Sequence, residues 1–146
     1  MTQRVLALTY GKGMQPRPDG PAVSFTLVPN IGECLTFPAL TADGPCDIMA
    51  FEAITAGPMD CWDDVVDADQ HLGRWLNLLA KFAPAELDRC AEVARTETGG
   101  VLRSRFTPQV RVPVAISPSD RPVLGISDAV VLNDPLTAQG ANLTAP

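Results

Sequence analysis

The first half of the chain breaks into short apolar runs separated by proline- and glycine-rich stretches, a pattern that a sheet of short strands satisfies and a helical bundle does not. Arg4 to Tyr10, Val23 to Leu27, Glu33 to Phe37 and Asp47 to Ile54 have strand length. The breaks at Pro16 to Pro21, Asn30 to Gly32 and Ala42 to Pro45 are built from turn formers, so hairpins are the simplest connection. Val23, Phe25 and Leu27 alternate with Ser24 and Thr26. That period of two predicts a strand with its apolar face buried and its small polar face outward.

The period then changes. Asp67, with Gln70 three residues on, has the form of a capping box, and Leu72, Trp75, Leu76 and Leu79 follow at the spacing of a helix face. Pro84 suits the first turn of a second helix, whose stripe runs through Leu87, Cys90, Ala91 and Ala94 until Gly99 and Gly100 end it. Val101 to Phe106 and Gln109 to Ala115 return to strand, with Pro113 marking an edge or a bulge. Pro122 to Ile126 and Ala129 to Leu132 read as two further short buried strands. The expected fold is α+β: a twisted, mostly antiparallel sheet with two helices packed on one face.

At 146 residues and 46% apolar content the chain can fill a real core. A net charge of −6 with scattered arginines argues against a nucleic-acid surface, which needs a basic face. Val5 to Leu8 is too short for a signal-peptide core and no run of 18 apolar residues occurs, so neither export nor a membrane span is expected, and a cytoplasmic location follows. Cys34, Cys46, Cys61 and Cys90 lack Cys-x-x-Cys spacing and His71 is the single histidine, so no metal site is expected and the thiols are expected to be reduced.

Other chemistry-bearing residues have plain readings. Asp60, Asp63, Asp64, Asp67 and Asp69 precede a helix, where acids complement its dipole and solvate the loop more often than they hold a cation. His71 is expected at the surface or at a helix end, Trp75 in the core, and Trp62 stays open. Glu33 and Glu52 receive no role. No nucleophile, base and orienting group stand together, so no catalytic residue is assigned. Gly11-Lys12-Gly13 reads as a loop, and no Gly-x-Gly-x-x-Gly turn of a dinucleotide-binding fold occurs.

The segment from Ile126 to Asn142 is the most distinctive. Asp128 is a lone carboxylate at the end of an apolar run and needs a donor such as a hydroxyl. Pro135 fits a first helical turn, and Gly140 lets a ligand approach the backbone. From spacing alone the segment serves equally as a turn followed by a capped terminal helix.

Asp128, Asp134, Pro135, Gln139, Gly140 and Asn142 stand in the register of the second flavin-binding motif of FAD-dependent aromatic-type monooxygenases, and the segment resembles it. That motif runs Gly-Asp, a short interval, then Asp-Pro-x-x-Gly-Gln-Gly-x-Asn. Ser127 and Ala138 stand where it has glycine. Further upstream Ala22 to Pro29, Gly32-Glu33, Phe51 to Ile54 with Gly57-Pro58, and Thr107 to Arg111 are similar, in that order, to the substrate-binding domain of styrene monooxygenases.

The resemblance implies a substrate-binding-type domain over 1–125 and a partial, truncated second flavin motif over 126–146. It implies that Asp128 contacts the ribityl chain of FAD, that the stretch from Asp134 and Pro135 to Asn142 lies near the pyrophosphate and the isoalloxazine ring, and that Phe25, Phe51 and Val110 floor a pocket for a small apolar or aromatic substrate. The implied partners are the missing FAD-binding domain or a flavin reductase. The isolated chain is expected to bind FAD weakly and to catalyse nothing, since the glycine-rich half is missing. The alternative is a free-standing small-molecule binding or interaction module, as a homo-oligomer if its sheet surface is bare.

Overall fold

A computed structural model describes residues 2–18, 20–97 and 100–135. The chain divides into two compact units, Arg4–Arg105 and a second that takes in Gln3 and the chain from Phe106 onward. The fold is α+β, with a mostly antiparallel sheet and two helices.

The first unit holds strands β1 (Arg4–Lys12), β2 (Ser24–Val28), β3 (Gly32–Thr41) and β4 (Gly44–Ile54), helix α1 (Ala68–Phe82), the one-turn helix α2 (Pro84–Leu87), and strands β5 (Ala94–Arg95) and β6 (Val101–Phe106). These strands form one sheet in the order β2-β3-β4-β1-β5, with β6 also on β1. The antiparallel hairpins expected from the turn residues are present: β2 pairs β3 and β3 pairs β4. Asn30, at φ 61°, takes the left-handed position that the first hairpin needs.

Register decides the faces. Val5, Ala7, Cys34, Met49, Phe51 and Ala53 share the face that packs on Trp75, Leu78 and Leu79 of α1, together with Met59, Trp62 and Val65 from the connection. Burial of each large side chain is worth about 1.5–3 kcal/mol. Phe51 and Trp75 lie at its centre, ring centroids 5.5 Å apart and tilted by 56°.

Several expectations need correction. In β2 the polar side is the buried one: Ser24 is 2% exposed, while Val23, Phe25 and Leu27 are 47%, 54% and 62% exposed. Ser24 is drawn inward because its hydroxyl has partners there, Thr36 Oγ1 at 2.6 Å and Glu86 Oε2 at 3.1 Å. Along α1 the buried stripe is His71, Trp75, Leu78 and Leu79, so Leu72 and Leu76 sit at its margin. Asp67 caps the helix by accepting from Gln70 N at 2.7 Å, but Gln70 Oε1 reaches back to Val66 N rather than to the cap itself.

The second helix ends early, passing into a 3-10 turn at Asp88–Cys90, and Ala94–Arg95 join the sheet beside Gly11 and Lys12. Gly11 and Lys12 are therefore strand, not loop. A Cβ at Gly11 would lie 2.7 Å from Met49 Cε and 2.9 Å from Val93 Cγ1, so the missing side chain is what lets β1 continue between them.

The second unit has strands β7 (Gln109–Val110), β8 (Val114–Ile116), β9 (Pro122–Leu124) and β10 (Val131–Leu132), paired antiparallel as β7 with β10 and β8 with β9. The single strand expected over Gln109 to Ala115 is thus divided near Pro113, which has no N–H to give to a ladder, and β9, expected to be buried, is exposed along its length. The Pro113 carbonyl instead accepts from Gly125 N at 2.7 Å. Among the described residues no helix is long and apolar enough to cross a membrane.

Candidate functional site

Asp128 is exposed, on a one-turn 3-10 helix (Ser127–Ala129) and not at the end of a strand as its apolar neighbours suggest. Ser127 opens the turn at φ 54°, in the left-handed region where a side chain costs about 1 kcal/mol. This is the position at which the flavin motif carries glycine, the residue that adopts a left-handed backbone most readily. Val130 N closes the turn onto Ser127 O at 2.9 Å.

Arg111 ties it down: its main-chain N–H donates to Val130 O at 2.7 Å, and its Nη1 donates to Asp128 O at 2.9 Å and Ala129 O at 3.2 Å. The Asp128 carboxylate itself accepts no hydrogen bond from the described residues, so both oxygens are available to a hydroxyl donor of the ribityl kind. Asp134 is partly buried and Pro135 exposed, while Gln139, Gly140 and Asn142 lie outside the described residues.

Of the three residues expected to floor a pocket, Phe25 and Phe51 lie on opposite faces of the sheet. Phe25 stands opposite Leu35, and Leu35 opposite Ala50, on the face turned away from α1. Phe51 is one residue out of phase with that row and lies under α1, 1% exposed against Trp75. It is therefore core. Val110 belongs to the second unit and is 71% exposed. Leu27, beside Phe25 on the exposed side of β2, is a candidate that the alternation pattern assigned to the core.

The aspartate-rich loop has a more specific role than solvation. Arg105 Nη2 meets Asp60 and Asp63 at 3.0 Å each, Arg74 Nη2 meets Asp64 at 2.8 Å, Arg95 Nε meets Asp69 at 2.9 Å, and Asp67 is the cap of α1. Arg103 Nη1 donates to Trp62 O at 2.5 Å and Val65 O at 2.8 Å. Arg74, Arg103 and Arg105 strap the loop to α1 and β6, and Arg95 ties β5 to the first turn of α1. A concavity of about 410 Å³ beside it is lined by Val5, Trp62, Asp63, Arg103, Ser104 and Arg105, whose charged groups are engaged in these same contacts.

Beneath the loop, His71 is 0% exposed, contrary to the surface position expected, and stacks on Trp62 with centroids 4.6 Å apart. Neither ring nitrogen has a hydrogen-bond partner among the described residues. Burial, with the Arg103 charge adding to it, pushes the imidazole down to about 4, so it is neutral at ordinary pH.

A second buried polar group lies at α2. Glu86 is 4% exposed and accepts from Arg17, from Arg89 Nη1 at 2.5 Å and from Ser24. Burial alone raises its carboxyl, but the hydrogen bonds from Arg17, Ser24 and Arg89 outweigh burial and hold it below the usual carboxylate range. No simple spacing announces this group, because its partners come from three separate stretches of chain. The four cysteines are free thiols, and burial, followed by the Glu86 charge, raises Cys34 well above the ordinary thiol range.

The chain has known relatives. The family model described as "Styrene monooxygenase A putative substrate binding domain" matches residues 2–89. No curated protein sequence matches. Among solved structures, the flavin-dependent brominase Bmp2 superposes with a TM-score of 0.66 at 13% identity, covering 98% of this chain and 33% of that one. A triple mutant of the same brominase gives 0.66 at 12% identity, covering 99% and 33%. A flavoprotein/dehydrogenase from Cytophaga hutchinsonii gives 0.60 at 11%, covering 99% and 32%. These likenesses are of fold, and the chain spans about a third of the length of the proteins it resembles. With more than half of its residues matched by the family model, the chain belongs to the styrene monooxygenase A substrate-binding-domain family.

Proposed function

We propose that the chain is the substrate-binding portion of an FAD-dependent monooxygenase of the styrene monooxygenase type, acting in the cytoplasm on a small apolar, aromatic or olefinic molecule. The observation that carries the reading is the family match over residues 2–89, joined to a β2 edge that leaves Phe25 and Leu27 uncovered on the side away from the core. Bound flavin supplies the oxygen-transfer chemistry, and the protein's part is to hold the substrate and exclude water. Phe25 and Leu27 would form the floor. Phe51 would support the sheet from beneath without touching substrate.

For the cofactor, the Asp128 carboxylate, unbonded among the described residues, suits a ribityl hydroxyl, and the left-handed Ser127 is compatible with the glycine of the motif at that position. Asp134 and Pro135, with Gln139, Gly140 and Asn142, are the candidates to face the pyrophosphate and the ring. The partner would be a separate FAD-binding domain or a flavin reductase. The isolated chain would bind FAD weakly and turn over nothing.

The test is thermal stability with styrene or indole added, in the wild type and in Phe25→Ser. The aromatic probe should raise the wild-type melting temperature. Phe25→Ser, altering a half-exposed side chain, should itself change stability by less than about 1 kcal/mol yet lose that rise. An undiminished rise in the variant would remove the β2 face from the site.

A second reading, a free-standing binding or self-associating module, draws on the second unit, where Val110, Val112, Ile116, Leu124 and Ile126 are each more than 60% exposed. Sedimentation over a range of concentrations decides it: a monomer throughout would leave no place for self-association.

A further inference from the structure

We infer that Arg111 is the positioning residue for the cofactor contact at Asp128, an inference that rests on the flavin reading above. The Asp128 turn has little else to hold it. The ladders beside it are short, β7 and β10 contributing two residues each. Its opening residue sits in a conformation that opposes it, Ser127 at φ 54°. Among the described residues, Val130 N to Ser127 O at 2.9 Å and Ala129 N to Ile126 O at 3.2 Å are the bonds that close the turn from within.

Arg111 adds three bonds from outside the turn, to the carbonyls of Asp128, Ala129 and Val130 in succession. Three consecutive carbonyls drawn toward one residue fix the direction of the backbone through Asp128. Its carboxylate is exposed and unbonded among the described residues, so the guanidinium orients the acid without neutralising it by direct contact. Both side-chain bonds leave one nitrogen, Nη1, whose two N–H groups are fixed in the guanidinium plane, whereas an ammonium's N–H groups rotate on a flexible stem. Lysine at this position would therefore keep the charge and lose the geometry.

The test compares the wild type with Arg111→Lys, Arg111→Gln and Asp128→Asn by amide NMR, each titrated with FMN, with inorganic phosphate as the control for a pure charge effect. In both Arg111 variants the amides of Ser127 to Val130 should shift and Ser127 should lose its left-handed coupling signature, while the Trp62 and Trp75 indole signals stay in place. The FMN response of these amides should weaken roughly tenfold in Arg111→Lys as in Arg111→Gln, the scale of losing hydrogen bonds from a charged donor.

An unchanged Ser127 signature in either variant would overturn the positioning role. So would an FMN response that Arg111→Lys retains and Arg111→Gln loses, since charge alone would then suffice. If the wild type gave no FMN response, or Asp128→Asn kept it whole, the flavin reading itself would fall, and the cofactor part of the inference with it. A response to phosphate equal to that to FMN would have the same effect.

Discussion

Replacing His71 by phenylalanine should stabilise this protein, which is not what removing a chain's single histidine from beside a cavity would ordinarily suggest. The imidazole is wholly buried, stacked on Trp62, and neither nitrogen finds a partner among the described residues. Leaving one buried polar group unpaired costs about 1–3 kcal/mol. Phenylalanine keeps a ring over Trp62 and removes that cost, against up to about 1 kcal/mol for its extra volume. The net expectation at neutral pH is a gain of about 1 kcal/mol, or some 2–4 °C in Tm for a chain of this size.

The acid limb gives a sharper number. The folded imidazole is pushed down to about 4 from 6.5, so the unfolded chain takes up the proton first. Stability is therefore whole above the unfolded value and falls as pH drops toward the folded one, beyond which the loss stops. Between about pH 7 and pH 5 this amounts to about 2 kcal/mol, which the phenylalanine variant should not lose. Urea unfolding followed by tryptophan fluorescence reports the right region, since Trp62 and Trp75 are both in the core packed around α1. A variant that lost more than about 2 kcal/mol at pH 7 and kept the wild-type pH slope would mean that His71 is paired in the fold, and the reasoning would be wrong.

Glu86→Gln removes the one carboxylate that Arg17 and Arg89 share. Breaking a buried charge pair from one side costs about 3–5 kcal/mol, and a loss below about 1 kcal/mol in urea would show that the arginines find solvent instead. Because the Glu86 carboxyl is held down in the fold, its contribution is present above the unfolded carboxylate value and fades as pH falls through the folded one, so the variant's deficit should shrink in acid. Ser127→Gly relieves the left-handed strain and should stabilise the second unit by about 0.5–1 kcal/mol, less the added freedom of the unfolded chain. Hydrogen exchange at Ala129 and Val130 would measure it, and faster exchange would contradict the strain argument.

Much of the first unit is legible in the residues themselves. Proline and glycine breaks mark the β2–β3 and β3–β4 turns, and Asp67 marks the start of α1. What the pattern misplaces has physical causes that lie far away along the chain. The alternation in β2 points the wrong way because Ser24 has a hydrogen-bonding partner at Glu86, 62 residues distant. The α1 stripe omits His71 because a titratable ring is normally excluded from cores, yet here stacking on Trp62 retains it. The resemblance groups Phe51 with Phe25, whereas strand register, which no single run reveals, places them on opposite faces. The Asp128 turn was read as the end of a strand, and Arg111, which holds it, carries no spacing signal at all.

The charge network at Glu86 also bears on how the molecule folds in time. Its bonds to Arg17 and Ser24 span 69 and 62 residues, whereas the β3–β4 hairpin closes over a handful. Closing long loops is entropically costly before any contact rewards it, so the local hairpins lead and this tether is among the last to engage. Interactions absent from the transition state act on the rate of opening and leave the rate of formation nearly untouched. The arginine–glutamate tether is thus a kinetic latch: it sets how long a completed molecule persists more than how quickly one is made.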